Sequence, residues 1–303
     1  MQRILFKSAL ALATAAVCAV ASAGPVILGG DDLTDHGSRS GAGVNQAGWL
    51  YIEKAVGNVL SGVTRAGFIT TDIVALGSAD NPAFAGGNAG GAIGSAAQVL
   101  GKTVTYIDGA AAINQFFVDL LAGTINPNML WMAGNGAAND LDAGEGVALT
   151  GNALAINAFV SSGGGLMAHG SGADAYGWLS ALLPGIVETL NCNSAGATLT
   201  VAGQAAFPGL SNSNIDSNAG PCHSSFSGNF GGLQTLAVEG AGRSYIIGGG
   251  ANTVIQCGQP GQPACPTPEP GTLPLVVLAA MGLALPQFRR LRIGKADQAK
   301  KSA

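Results

Sequence analysis

Residues 139–185, NDLDAGEGVALTGNALAINAFVSSGGGLMAHGSGADAYGWLSALLPG, decide how this chain folds. Asp142 followed by Glu145 is the pattern of a capping box: a carboxylate at N-cap takes the N3 amide, and the N3 glutamate reaches back to the N-cap amide. Val147, Leu149, Leu154, Ile156, Phe159 and Val160 continue an apolar helical pattern. Gly163-Gly164-Gly165 ends it, glycine being the residue that turns left-handed at a helix C-terminus. A short apolar strand, Leu166-Met167-Ala168, comes next, then the tight turn His169-Gly170-Ser171-Gly172, then a further helix over 175–183. Helix, glycine turn, apolar strand, elbow and helix is the order found in a parallel sheet covered on both faces.

The same alternation runs upstream. Strands are expected at 26–30, 72–76, 103–107 and 128–132. Between them lie helices at 46–60, 91–100 and 110–121. The first carries Trp49, Ile52, Val56, Val59 and Leu60 on one face, the third Ile113, Phe116, Phe117 and Leu120. Downstream, 197–202 reads as a strand, 211–232 as a Ser/Asn/Gly-rich loop, and 236–238 and 244–247 as late strands. Trp49, Trp131 and Trp178 read as core. The fold class is therefore α/β, a mainly parallel three-layer sheet, with any ligand expected beyond the carboxyl ends of the strands.

The quoted stretch, together with Phe207-Pro208-Gly209-Leu210 further on, resembles the class I glutamine amidotransferase-like superfamily over 26–248. That resemblance implies a flavodoxin-like fold and a cysteine nucleophile, activated by histidine, at the elbow after the apolar strand. This chain has Ala168-His169-Gly170-Ser171-Gly172 there and no cysteine. The expectation is a domain without glutamine hydrolysis. The alternative is a hydrolase acting on a saccharide or amide through the His169/Ser171 elbow, with His223 as base and Asp174 as a third member. His-Gly-Ser-Gly shares little with the G-x-S-x-G elbow of serine hydrolases.

Asp31-Asp32-Leu33-Thr34-Asp35-His36 follows the first strand. Three carboxylates and an imidazole in one short loop could hold a divalent cation through oxygen ligands, or could bond to their own backbone as loop caps. No other cofactor is implied; the glycines near 86–94 lack the Lys-Ser/Thr pair of a phosphate loop.

Both ends of the chain read as addresses. Arg3 and Lys7, an apolar run and Ala21-Ser22-Ala23 form a secretory signal peptide over 1–23. The α/β domain spans 24–256, with a loop-rich insertion at 190–235, and a Pro/Gln linker follows at 257–268. Pro268-Glu269-Pro270, an uncharged span over 271–288 and Arg289, Arg290 and Arg292 then resemble the PEP-CTERM sorting signal of Gram-negative bacteria, here 268–293, with a basic tail at 294–303. The span is about the length a bilayer requires, and the arginines would stay on the cytoplasmic side. The resemblance implies signal peptidase and an exosortase as processing partners. It also implies export to the cell surface or extracellular matrix, and exopolysaccharide or envelope components as binding partners.

Between residues 24 and 268, five basic side chains face fifteen acidic ones, a formal charge of −10 that the whole-chain value of −4 conceals. With no basic patch, nucleic acid is excluded as a partner. Cys192, Cys222, Cys257 and Cys265 remain after the leader is removed, an even number suited to an oxidising compartment. The shortest loops pair Cys192 with Cys222 and Cys257 with Cys265.

Overall fold

A computed structural model describes residues 23–249, apart from 85, 135–139, 191, 193–195 and 217–219. The signal peptide up to residue 22, Cys257 and Cys265, the linker, Pro268-Glu269-Pro270, the span and the arginine cluster lie outside the described residues. Ala23, expected to precede the cleavage point, is buried against the core. Among the described residues no helix is long and apolar enough to cross a membrane.

Five strands form the parallel part of the sheet: β1 (Val26–Gly29), β4 (Thr71–Leu76), β5 (Val104–Ile107), β6 (Pro127–Ala133) and β7 (Gly165–His169), in the spatial order β5-β4-β6-β7-β1. Apart from the half-buried edge strand β5, their side chains alternate between two buried faces. Ile27, Ile73, Ala75, Met129, Trp131 and Met167 enter one core. Val26, Leu28, Val74, Leu76, Leu130 and Met132 enter the other. Strands buried on both faces have no polar side, which is why these runs are apolar nearly throughout.

Helices α1 (Gly48–Gly62) and α2 (Ala89–Leu100) cover the Trp131 face. Helices α3 (Ala110–Ala122), α4 (Ala143–Gly151) and α5 (Ala153–Ser161) cover the opposite one. The connections β1→β4→β5 run one way along the sheet over the first face. The connections β5→β6→β7 run back over the second. A reversal of direction paired with a change of face keeps one crossover handedness, as a right-handed βαβ unit requires. The protein is a mixed α/β fold, a mostly parallel central sheet flanked by helices.

The remaining strands extend the sheet in antiparallel fashion. β12 (Ser244–Gly248) pairs with β1 and, by one residue pair, with β10 (Ser225–Gly228); β10 in turn pairs with β8 (Ile186–Thr189). β11 (Gln234–Val238) lines β12 and also pairs with β9 (Thr198–Leu199). A separate ribbon, β2 (Gly37–Arg39) with β3 (Asn45–Ala47), precedes α1.

Several local expectations change. The helix after Asp142 is two helices, parted at Asn152, whose amide nitrogen bonds Ala148 O and Asn114 Oδ1 at 2.8 Å each. Gly151 and Asn152 are poor helix formers, and the break leaves Val147 and Leu154 more than 70% exposed, outside the core where the periodicity put them. The helix over 175–183 is likewise two short ones, α6 (Gly172–Tyr176) and α7 (Leu179–Leu182). The strand at 197–202 stops at Leu199, because Thr200 caps α8 (Val201–Ala206), its hydroxyl accepting from Gly203 N at 3.1 Å. Within the expected loop 211–232 lie α9 (Asn212–Ile215) and β10. β2, β3 and β8 carry no strong alternation in sequence and are visible only in the fold.

The capping box at Asp142 forms, and Glu145 does more than close it. One carboxylate oxygen accepts Asp142 N at 2.8 Å and the other Gly109 N at 2.7 Å, tying α4 to the turn before α3. Burial pushes the Glu145 carboxyl above its ordinary range against the pull of these bonds. Asp142→Ala should therefore cost about 1 kcal/mol, the usual worth of an N-cap. Glu145→Ala should cost about 2–3 kcal/mol, since it leaves two amides without their acceptor. Urea denaturation of the two variants distinguishes these values, and equal losses would show that the Gly109 bond contributes nothing.

Candidate functional site

The chain has three histidines, His36, His169 and His223, and the fold gathers all three with Asp31, Asp32 and Asp35 at the carboxyl ends of β1 and β7. The gathering starts from register. Gly29, the last residue of β1, is the parallel partner of His169, the last of β7. A Cβ on Gly29 would lie 1.8 Å from Asp31 Oδ2, so the missing side chain leaves room for the Asp31 carboxylate at the strand end. There Asp31 Oδ1 accepts Leu33 N at 3.1 Å and His169 Nδ1–H at 3.2 Å. Asp31 and His169 are 0% and 1% exposed, a fully buried pair.

The elbow after His169 is shaped by close backbone approach. Gly170 has φ +127°, and a Cβ on it would stand 1.9 Å from Gly134 O, so only glycine fits. The Tyr176 hydroxyl lies 2.6 Å from Gly29 O and 3.1 Å from Ala168 O, binding the ends of both strands from α6. The Trp131 ring meets His169 edge-on at 5.3 Å. Burial, with the Asp31 charge added, raises the phenols of Tyr51, Tyr176 and Tyr245 well above their ordinary value. Three buried tyrosines thus lie within the field of one carboxylate.

Across the loop after β1 runs a strap, residues 221–224. Asp32 N donates to Pro221 O at 3.0 Å, and His223 N and Ser224 N donate to Gly30 O at 2.8 and 3.1 Å. Cys222 bridges Asp31 in antiparallel fashion and is joined to Cys192 in a disulfide, with Cα atoms 5.5 Å apart. The strap carries His223 to Asp32, Nε2 to Oδ2 at 2.8 Å; the other oxygen of Asp32 faces His36 Nε2 at 3.3 Å. His223 is about one-third exposed and Asp32 less so.

The bond to Asp32 is the main cause of a raised His223 pKa. Stability from this contact is therefore fully present below about pH 6.5, the free imidazole value, and is lost as pH rises through the raised folded-state value. Melting temperature should fall between pH 6 and 9 by more in the wild-type protein than in His223→Gln. Parallel curves for the two proteins would refute the contact. On the acid side Glu239 acts in reverse. Burial opposes its ionisation, but the Arg243 side chain and the amides of Ala241 and Arg243 hold its carboxyl down to about 2. That contribution is present above the ordinary glutamate value and is lost as pH falls toward 2.

The sequence-derived site residues are thus partly united. His169 stands at the elbow, but pointed into the core and engaged with Asp31. Ser171 is the N-cap residue of α6 without a capping bond from its side chain, and Gly172 N beyond it donates to Glu188 Oε1 at 2.8 Å. Asp174, grouped with Ser171 and His223 in the sequence, packs instead against α4, where a Cβ on Gly146 would lie 2.5 Å from its Cα. The carboxylate beside His223 is Asp32. Asp31, Asp32, Asp35 and His36 do not form the cation cage their spacing suggested. Among the described residues no group of three or more His, Cys, Asp or Glu side chains is arranged to hold a metal ion. Asp31 and Asp32 turn to imidazoles instead.

Sequence reasoning missed Tyr51, Tyr176 and Glu188. The usable signal was that each histidine stands just past a strand end or beside Cys222. Five polar atoms are buried here with no hydrogen-bond partner: Asp31 Oδ2, Asp35 Oδ1, His169 Nε2, Tyr51 Oη and Trp131 Nε1. No family model, curated protein or solved structure matches this chain.

Proposed function

We propose that this chain is an exported, exosortase-processed envelope or extracellular-matrix protein. Its amidotransferase-like domain is non-catalytic and binds exopolysaccharide or envelope components. The observation that carries the non-catalytic reading is the state of the elbow. The elbow where the resemblance calls for a cysteine thiolate has only His169 and Ser171 in its neighbourhood, and His169 is 1% exposed and bonded to Asp31. A nucleophile must reach its substrate, and this imidazole is packed between Trp131 and a buried carboxylate. The Asp32–His223 pair, nearer solvent, favours a second reading, a hydrolase acting on a saccharide or amide through the His169/Ser171 elbow with His223 as general base.

One pair of measurements separates the two. Purified protein is mixed with exopolysaccharide from the producing cells and assayed for co-sedimentation and for release of reducing ends or ammonia. Binding without release supports the binding module. Release that disappears in His223→Gln establishes the hydrolase, and neither binding nor release removes both. Mass spectrometry of the mature C-terminus tests the processing: loss of the residues after the Pro268-Glu269-Pro270 region is expected, and an intact Ala303 would overturn it.

A further inference from the structure

We infer that the cavity at the amino ends of β4 and β6, at the opposite end of the strands from the histidines, is a subsite for a uronate, a sugar ring carrying a carboxylate, with Arg65 meeting the carboxylate and Phe68 the ring face. This deepens the exopolysaccharide-binding reading above and rests on it. The cavity measures about 600 Å³, within the roughly 300–1,000 Å³ of small-molecule sites. It lies between residues 65–70, which lead from α1 into β4, and residues 123–126, which lead from α3 into β6. Asn126 builds it. Its side-chain nitrogen donates to Ala66 O at 3.3 Å and Phe68 O at 3.2 Å, and its side-chain oxygen accepts from Arg65 Nε. Its backbone closes on Thr70 twice, Asn126 N donating to Thr70 Oγ1 at 2.9 Å and Thr70 N to Asn126 O at 3.0 Å. One residue thus fixes both walls, so little ordering cost is left for a ligand to meet.

The charge comes from Arg65. Lys54, Lys102 and Arg243 each stand against a carboxylate, those of Glu53, Asp72 and Glu239. Arg65 instead donates through Nε to Asn126 and through Nη1 to the Ser162 hydroxyl, and lies over the Phe159 ring at 4.6 Å. Among the described residues no carboxylate meets it, and Nη2 has no protein acceptor. Burial lowers the guanidinium from its ordinary pKa with no opposite charge to offset it. A ligand carboxylate supplies that charge through short, charge-assisted bonds to a guanidinium already held in plane. No acidic side chain lines the cavity. The formal charge of −10 is spread over the domain, and salt screens charges more than about 8 Å away.

The rest of the lining selects a sugar. Phe68 is 87% exposed, the highest figure among the described large hydrophobic side chains. A single exposed apolar residue needs no explanation, but this one shares a cavity with an uncompensated cation and two hydroxyls. Thr70 Oγ1 accepts Asn126 N and keeps its proton to donate; Thr124 Oγ1 donates to Asp119 O at 3.0 Å and keeps lone pairs to accept. A pyranose carries an apolar C–H face for a flat ring and hydroxyls at its edge for such a pair. An acidic peptide side chain would use Arg65, but its flexible stem offers Phe68 no matching face.

The purified exported protein, disulfide intact, is titrated calorimetrically at pH 7 with an oligogalacturonate, with its methyl ester, which keeps the rings and removes the charge, and with an oligoglutamate peptide. The oligogalacturonate is expected to bind about tenfold or more tightly than the ester, a gap that closes in Arg65→Gln. Phe68→Ala should weaken both sugars about tenfold and leave the ratio between them unchanged. Its melting temperature should match that of the wild-type protein, because the ring is exposed, so this variant decides the matter even where Arg65→Gln folds poorly. Equal affinity for acid and ester, unchanged affinity in Phe68→Ala, binding of the peptide in place of the sugar, or no binding of the oligogalacturonate overturns the inference. Co-sedimentation with native exopolysaccharide is measured alongside. Wild type and Phe68→Ala sedimenting alike leaves the binding reading standing without this site, and no co-sedimentation removes that reading itself.

Discussion

Asp31→Ala should destabilise the domain by about 2–4 kcal/mol, the cost of leaving a buried imidazole and a buried backbone amide without their acceptor. The size of the effect comes from what is left behind. His169 is 1% exposed and bonded through Nδ1 to Asp31 alone, with Nε2 already unpartnered. Without the carboxylate, the imidazole has no partner at either nitrogen and no route to water, and Leu33 N loses its acceptor as well. His169→Leu should be costly for the mirror reason, leaving a buried carboxylate without its imidazole. The double variant Asp31→Leu/His169→Leu removes both polar groups together and should recover much of the loss, because replacing a buried pair with apolar groups is close to neutral. Chemical denaturation of the four proteins gives the coupling directly. A single-variant loss under about 1 kcal/mol, or strict additivity in the double variant, would mean that the pair does not hold the ends of β1 and β7 together.

The second large effect is expected at the disulfide. Cys192 and Cys222 close a loop with a sequence separation of 30, and the loss of unfolded-state freedom for such a loop is worth about 3–4 kcal/mol. Cys192→Ala, Cys222→Ala and the double variant should each fall by that amount and no further, since any one of them opens the same loop. Reductant should lower the melting temperature of the wild-type protein and leave the variants unmoved. The local consequence differs from a general loosening. Cys222 lies between Pro221 and His223, whose backbone groups clamp Gly30 and Asp32. Opening the disulfide should therefore flatten the pH dependence assigned to His223 as well as lower stability. A wild-type melting curve indifferent to reductant would remove the cross-link from the account.

These two effects fall on different links between sequence and fold, which explains what could be read in advance. Apolar runs such as Ile73 to Leu76 and Met129 to Met132 announce strands buried on both faces, because nothing polar can be tolerated on either side of them. Trp49, Trp131 and Trp178 are core, as their place in those patterns requires. The capping box at Asp142 and Glu145 formed as written, since its bonds span three residues and need no distant partner. The Cys192–Cys222 pairing agreed with the shortest-loop expectation. The single helix after Asp142 and the strand at 197–202 did not hold. Helical periodicity registers apolar spacing but is blind to a change of axis at Gly151-Asn152, and Thr200 competes for its neighbours as a cap.

The sequence alone determined the class of this protein: alternating apolar runs and amphipathic stretches, an elbow without cysteine, an acidic domain between two hydrophobic ends. These follow from side-chain chemistry at short range, where each residue's neighbours are also its neighbours in the chain. The tertiary structure alone decided the partners. Asp31 meets His169 across 138 residues, and Asp32 meets His223 rather than Asp174, because β1 pairs in register with β7 and the disulfide draws residues 221–224 over the loop. Spacing grouped four residues of one loop as a cation cage. Packing turned two of the carboxylates to imidazoles from other elements, and a carboxylate's partner is set by the three-dimensional path of the chain.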